Sequence, residues 1–217
     1  MSTILAERLR RFREAGLYLV ITEEFTNGRG TLRTLQEAAD AGIRLVQLRE
    51  KSLTDRDLYF RAEEFRKICD RYNILMMMND HIDIALAAGA DGVHLGQDDL
   101  PLEAALKLAP DLIIGRSTHS REEALAEQAA GAPVINLGPI YPTKTKSLPM
   151  SARGLELIDS TIKDLHIPFS VMGGIKLHHI PELVSHGAKT IAMVTEITQA
   201  ENISSRVREL FSLMGRG

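Results

Sequence analysis

Four stretches decide the fold: AGIRLVQLRE (41–50), AGADGVHLGQ (88–97), AGAPVINLGP (130–139) and HGAKTIAMVT (186–195). Each begins with a small residue or His followed by glycine, at Gly42, Gly89, Gly131 and Gly187. Each then runs through a short apolar-rich segment and ends in polar residues or glycine. An amphipathic stretch precedes every one of these glycines, as at a helix C-terminus closed by a left-handed residue. The run that follows is mostly apolar, as in a strand buried on both faces. Between them lie LYLVIT (17–22), ILMMM (74–78), LIIG (112–115) and FSVM (169–172), which read as four more strands. Helical patterns fill the intervals at 31–42, 54–72, 81–88, 101–109, 120–130, 151–164, 176–186 and 199–214. Strict strand–helix alternation predicts a parallel sheet. Eight units in 217 residues favour the α/β class and a closed (β/α)8 TIM barrel over a doubly wound open sheet.

Residues 4–15 read as an extra N-terminal helix under the barrel. Ser120 and Glu123 form a capping-box pattern ahead of the helix at 120–130. No linker or composition shift divides the chain, so residues 1–217 are expected to be one barrel domain. The only Pro-, Lys- and Ser-rich segment, PTKTKSLPMSARG (142–154), follows strand 6. A barrel places active-site loops there.

The composition narrows the function classes. Hydrophobic residues make up 44% and charged residues 25%, with a formal charge of -3 and a pI near 6.2. An acidic balance argues against non-specific nucleic-acid binding, which needs a basic face. The arginines at 8, 10, 11 and 13 are flanked by Glu7 and Glu14 and read as a solvated helix face. The single cysteine, Cys69, cannot form an intrachain disulfide and reads as an inert core thiol. The opening MSTILAERLRRF has neither a long apolar run nor a cleavage pattern, so no leader is expected. No apolar run is long enough to span a membrane. The cytoplasm is the default compartment, and a homo-oligomer is compatible with the sequence.

Barrel chemistry sits at the strand C-termini. There the chain places Gln47, Arg49, Glu50 and Lys51 after strand 2, and Asn79 and Asp80 after strand 3. His94, Gln97, Asp98 and Asp99 follow strand 4, and Ser117, Thr118 and His119 end strand 5. Asp80, Asp98 and Asp99 lie on adjacent strands, within reach of one hard cation such as Mg²⁺. Asp99 reads equally well as a cap for the helix that starts near Pro101. Arg49, Lys51 and Lys146 would converge from strands 2 and 6, as cations that meet an anion. Gly173-Gly174 after strand 7 and Val194-Thr195 after strand 8 fit a phosphate cup built from backbone N–H groups. Lys144 reads as a solvated loop residue. The chain has no zinc spacing, nucleophile elbow or P-loop.

Together QLREK (47–51), ND (79–80), GVHLGQDDL (92–100), STH (117–119), GPIYPTKTK (138–146), GGI (173–175) and AMVT (192–195) resemble the thiamine-phosphate synthase family. The match runs in order from Leu17 to about Ile197. The resemblance implies a transferase that joins hydroxymethylpyrimidine diphosphate to hydroxyethylthiazole phosphate, releasing pyrophosphate. It implies that Gln47, Leu48, Arg49, Glu50, Lys51 and Asn79 hold the pyrimidine diphosphate. Asp80 and Asp99 would ligate Mg²⁺, and Ser117 and Lys146 would contact that substrate or its leaving group. Arg49, Lys51, Ser117 and Lys146 would be the catalytic set. Thr143, Lys144 and Thr145 would border the thiazole phosphate, and Gly174, Val194 and Thr195 would bind its phosphate. The family commonly has Ser where this chain has Thr195, which retains a hydroxyl. Met172 stands in place of a β-branched residue, with only a packing consequence expected. Two alternatives remain: a thiazole tautomerase on the same barrel, and a non-catalytic thiamine-phosphate-binding barrel.

Overall fold

A computed structural model describes residues 2–143 and 151–216. Its parallel strands close in chain order: β1 (Leu17–Ile21), β2 (Leu45–Leu48), β3 (Leu75–Asn79), β4 (Gly92–Leu95), β5 (Ile113–Thr118), β6 (Val134–Leu137), β7 (Phe169–Met172) and β8 (Ile191–Met193). β8 returns to β1 with Leu17 opposite Ile191. The barrel expected from the glycine repeat is therefore the observed one. Gly42, Gly89, Gly131 and Gly187 all have positive φ, as the repeat required.

Helices alternate with the strands: α1 (Thr3–Glu14), α2 (Thr31–Asp40), α3 (Asp55–Tyr72), α4 (Ile82–Ala87), α5 (Leu102–Leu108), α6 (Arg121–Ala129), α7 (Glu156–Thr161), α8 (Ile180–Ser185), α9 (Thr195–Thr198) and α10 (Ile203–Leu213). α1 closes the barrel bottom. Its Leu5, Leu9 and Phe12 pack on Tyr18, Leu45, Leu75, Met77, Ile113, Val134 and Ala192, the inward residues of the strands. Phe12 and Tyr18 meet edge to face at 5.9 Å. A separate apolar layer joins the outward strand residues to the surrounding helices. The two clusters follow from the period of two along each strand.

Three local expectations need correction. Ser120 does cap α6, accepting from Glu123 N at 3.1 Å, but the Glu123 carboxylate accepts from His119 N, one residue before the cap. The helix expected over 151–164 is shorter, because Arg153 N and Gly154 N bond to Pro139 O and Ile140 O. Those bonds tie this segment to the end of β6. The helix expected over 199–214 begins at Ile203, where Asn202 accepts from Ser205 N at 2.8 Å. A separate short turn, α9, precedes it.

No helix among the described residues is long and apolar enough to cross a membrane. Cys69 is buried, and burial pushes its thiol up to about 12, which keeps it protonated and inert at neutral pH.

Candidate active site

The inward residues change character along the barrel axis. The lower layers are apolar and meet α1, whereas the upper layer is polar: Gln47, Asn79, His94, Ser117 and Asn136 are all buried at the strand ends. Asn79 lies opposite His94, and Ser117 opposite Asn136. A cavity of about 410 Å³ opens over this layer. Gln47, Arg49, Lys51, Asn79, Asp80, His94, Gln97, Asp98, Asp99 and Ser117 line it. A narrower space adjoins it, lined by Gly138, Thr143, Gly173, Gly174, Val194 and Thr195. Ser117, His119, Met172 and Val194 border both.

Several bonds fix the first cavity. Gln47 Nε2 donates to Tyr18 Oη at 2.5 Å at its floor. Burial holds the Tyr18 hydroxyl far above its ordinary pKa, so it stays protonated. Ser117 Oγ lies 2.7 Å from His94 Nε2, and Asn136 Nδ2 lies 3.3 Å from His94 Nδ1. With the amide donating to Nδ1, Nε2 carries the hydrogen and donates to Ser117. The Ser117 O–H is then oriented as a donor toward the cavity. His119 Nδ1 lies 2.5 Å from Gly138 O, a pure acceptor, so that ring nitrogen carries its hydrogen and Nε2 can accept. Asn79 Nδ2 is buried with no partner in the structure. An orphaned donor on the wall suits a ligand acceptor.

The charged groups sit on the loops above. Lys51 pairs with Asp80. Asp80 has φ +63°, with its N–H donating to His94 O at 2.9 Å, so the β3 end turns its carboxylate over the cavity. Asp99 Oδ2 accepts from Gly96 N at 2.6 Å. The alternative reading of Asp99 as a helix cap does not hold: α5 is preceded by Pro101 without a side-chain cap. Arg116 braces the same loop, donating to Gly96 O at 2.8 Å while paired with Glu127 at 3.0 Å. Among the described residues no three His, Cys, Asp or Glu side chains are placed to hold a metal by themselves.

Other expected residues sit differently. The Glu50 side chain leaves the cavity and accepts from Glu23 N at 2.8 Å, ordering the loop after β1. Burial raises its pKa. Leu48 faces the surrounding helices. Alternation explains both, since Gln47 and Arg49 turn inward and their neighbours cannot. Met172 does more than pack, because it forms part of the partition between the two spaces. Lys144, Thr145 and Lys146 lie outside the described residues.

The narrower space is made by close backbone approach. Ile140 N donates to Met172 O at 2.8 Å and Tyr141 N to Gly173 O at 3.0 Å, so the chain after β6 runs along the β7 turn. A side chain at Gly174 would meet Pro142 O and, at 2.7 Å, Tyr141 O. Only glycine admits this approach.

The sequence of this barrel matches the family model described as thiamine monophosphate synthase over residues 17–197. The chain belongs to the thiamine monophosphate synthase family. Family relatives are close in length as well as in sequence. The thiamine-phosphate synthase of Dictyoglomus thermophilum is 39% identical over 209 residues, covering 96% of this chain and 94% of that protein. That of Pelotomaculum thermopropionicum is 41% identical over 204 residues, covering 94% of each. The structure of thiamine phosphate pyrophosphorylase from Pyrococcus furiosus superposes with a TM-score of 0.86 at 30% identity, covering 95% of this chain and 98% of that one. The likeness thus spans nearly the whole of this chain. One residue beside the narrower space is missed by reading its glycines alone: Lys176, directly after GGI, reaches the Thr195 hydroxyl.

Proposed function

We propose that the chain is a thiamine-phosphate synthase, joining hydroxymethylpyrimidine diphosphate to hydroxyethylthiazole phosphate with release of pyrophosphate. The observation that carries this reading is the pair of adjoining spaces in one barrel mouth. One is lined by cations and carboxylates, the other by glycines and backbone, and they share the wall at Ser117, His119, Met172 and Val194. Two different anionic substrates could lie there with their reacting ends in contact. The reading treats residues 1–217 as one barrel domain acting on small molecules.

In the larger space, Gln47 and Asn79 bind the pyrimidine ring and Ser117 donates to its diphosphate. Arg49 and Lys51 face the phosphates, and the family resemblance gives Lys146 the same role. In the narrower space, backbone N–H groups at Gly174, Val194 and Thr195 hold the monophosphate, bordered by Thr143, Lys144 and Thr145. The carboxylates fit a magnesium ion. Asp80 and Asp99 offer two hard oxygen donors and no cage, which suits a cation that keeps waters and shares substrate oxygens. Bound there, Mg²⁺ would supply charge neutralisation for the leaving group.

The reaction needs no protein nucleophile. The methylene C–O bond breaks, its electron pair leaves with pyrophosphate, and the electron-rich aminopyrimidine carries the resulting cation. The thiazole nitrogen lone pair then forms the new C–N bond. Arg49, Lys51 and Lys146 stabilise the charge building on the leaving oxygens. The walls position the two partners and exclude water from the cation. Lys51 already lies on Asp80, so its ammonium is held at the cavity edge for the diphosphate.

A tautomerase reading gives the cationic cavity no role. Incubation with the thiazole phosphate alone separates the two. The thiazole phosphate is expected to be recovered unchanged, and product is expected only when the pyrimidine diphosphate is added. Turnover of the thiazole phosphate by itself would support the tautomerase instead.

A further inference from the structure

A charged cluster behind the narrower space is left unused by this reading. Lys176 follows Gly173-Gly174-Ile175 directly, and its Nζ stands 3.4 Å from Thr195 Oγ1 and 3.4 Å from Glu196 Oε2. Thr195 lines the space. Glu196 is also paired, more closely, with Arg206 of α10. Arg206 also pairs with Glu209 at 3.4 Å. Glu196 is thus shared by two cations, and Lys176 stands at the end of the cluster nearest the glycine turn.

The base of Lys176 is fixed, and its head is held only by the two long contacts at 3.4 Å. Its N–H donates to His179 Nδ1 at 3.0 Å, and His179 stacks on Tyr141 with ring centroids 3.7 Å apart. Its side chain is 45% exposed, whereas Glu196 is 11% exposed. Glu196 keeps Arg206 as its closer partner, so it does not depend on Lys176 alone. Among the described residues that line the narrower space, a phosphate monoester would meet N–H groups and hydroxyls, none of which bears a full charge. An ammonium within hydrogen-bond reach of the Thr195 hydroxyl supplies one. Moving Nζ from Glu196 to a phosphate oxygen leaves Glu196 still paired with Arg206, so no buried carboxylate is stranded.

We propose that Lys176 binds the monophosphate of the thiazole substrate and selects it over the unphosphorylated alcohol. This inference rests on the two-substrate reading above and adds the Lys176 cation to the backbone N–H groups and threonine hydroxyls of that site.

The test uses the full chain with K176M and K176R. With pyrimidine diphosphate saturating, K176M is expected to raise the KM for thiazole phosphate about tenfold, the loss of one charge-assisted hydrogen bond. K176R is expected to restore most of it. The KM for pyrimidine diphosphate and the inhibition constant of the unphosphorylated thiazole alcohol are expected to stay unchanged in both variants. An unchanged melting temperature shows that the fold is intact. The proposal is overturned if K176M leaves the KM for thiazole phosphate as it was, or weakens the alcohol equally. A wild-type chain that releases no pyrophosphate from the two substrates overturns the underlying reading instead.

Discussion

Asp80→Asn is expected to lower kcat/KM by on the order of a thousandfold, about 4 kcal/mol of transition-state stabilisation. Asp80 occupies the left-handed region at φ +63°, where Asn and Asp are tolerated far better than other side chains. The amide therefore keeps the turn and the shape of the residue while removing the charge. Asp80→Ala would add backbone strain to the same loss, which makes Asn the cleaner variant. The substitution also frees Lys51 from its ion pair, so substrate binding can survive while turnover falls. Steady-state kinetics across a magnesium titration checks this. The account predicts a large kcat loss that added magnesium only partly recovers. Unchanged magnesium-dependent turnover would remove Asp80 from the metal site.

Gly174→Ala is expected to have the largest effect on stability together with a loss of thiazole phosphate binding. A left-handed alanine costs roughly 1–2 kcal/mol on its own. At Gly174, φ is +63° and the new methyl would also press on the Tyr141 and Pro142 carbonyl oxygens. Those oxygens belong to backbone that is hydrogen-bonded to the β7 turn, so it cannot yield as a flexible side chain would. A total of about 3 kcal/mol or more follows, a drop in melting temperature of roughly 6–12 °C. Gly28 supplies the control. Its φ is +74° but a methyl there meets nothing within 4 Å, so Gly28→Ala should show only the smaller backbone cost. Thermal unfolding of the two variants side by side, with the KM for thiazole phosphate, decides the point. Equal melting temperatures with an unchanged KM would mean that the turn after β7 is neither tight nor part of the phosphate site.

The barrel was legible because each glycine that ends a helix also announces the next strand. Gly42, Gly89, Gly131 and Gly187 have the positive φ that the repeat demands, and the buried runs after them leave little else to form. Helix edges were less legible. α9 spans only Thr195–Thr198, too few residues for a periodic signal. The segment before α7 is held by bonds to Pro139 and Ile140, partners distant in sequence. At the site, polar residues at strand ends marked the correct rim, and the inward set Gln47, Asn79, His94 and Ser117 follows from alternation. Alternation also shows why Glu50 cannot join them: its neighbours face in, and its carboxylate serves the β1 loop instead. Asp99 was ambiguous from sequence because an Asp before a proline-led helix suggests a cap; the contact with Gly96 N decides against it. Lys176 escaped notice because its importance lies in two residues of the next strand's loop, Thr195 and Glu196, which only the fold brings beside it.

The central claim is that the two adjoining spaces serve two substrates that react with each other under magnesium. The most direct measurement is pyrophosphate release and thiamine phosphate formation in one reaction mixture. It would contain both substrates, with magnesium or with excess EDTA. The account predicts equal molar amounts of the two products, formed only with both substrates present and abolished by the chelator. Thiazole phosphate altered without its partner, or full product formation in EDTA, would contradict it.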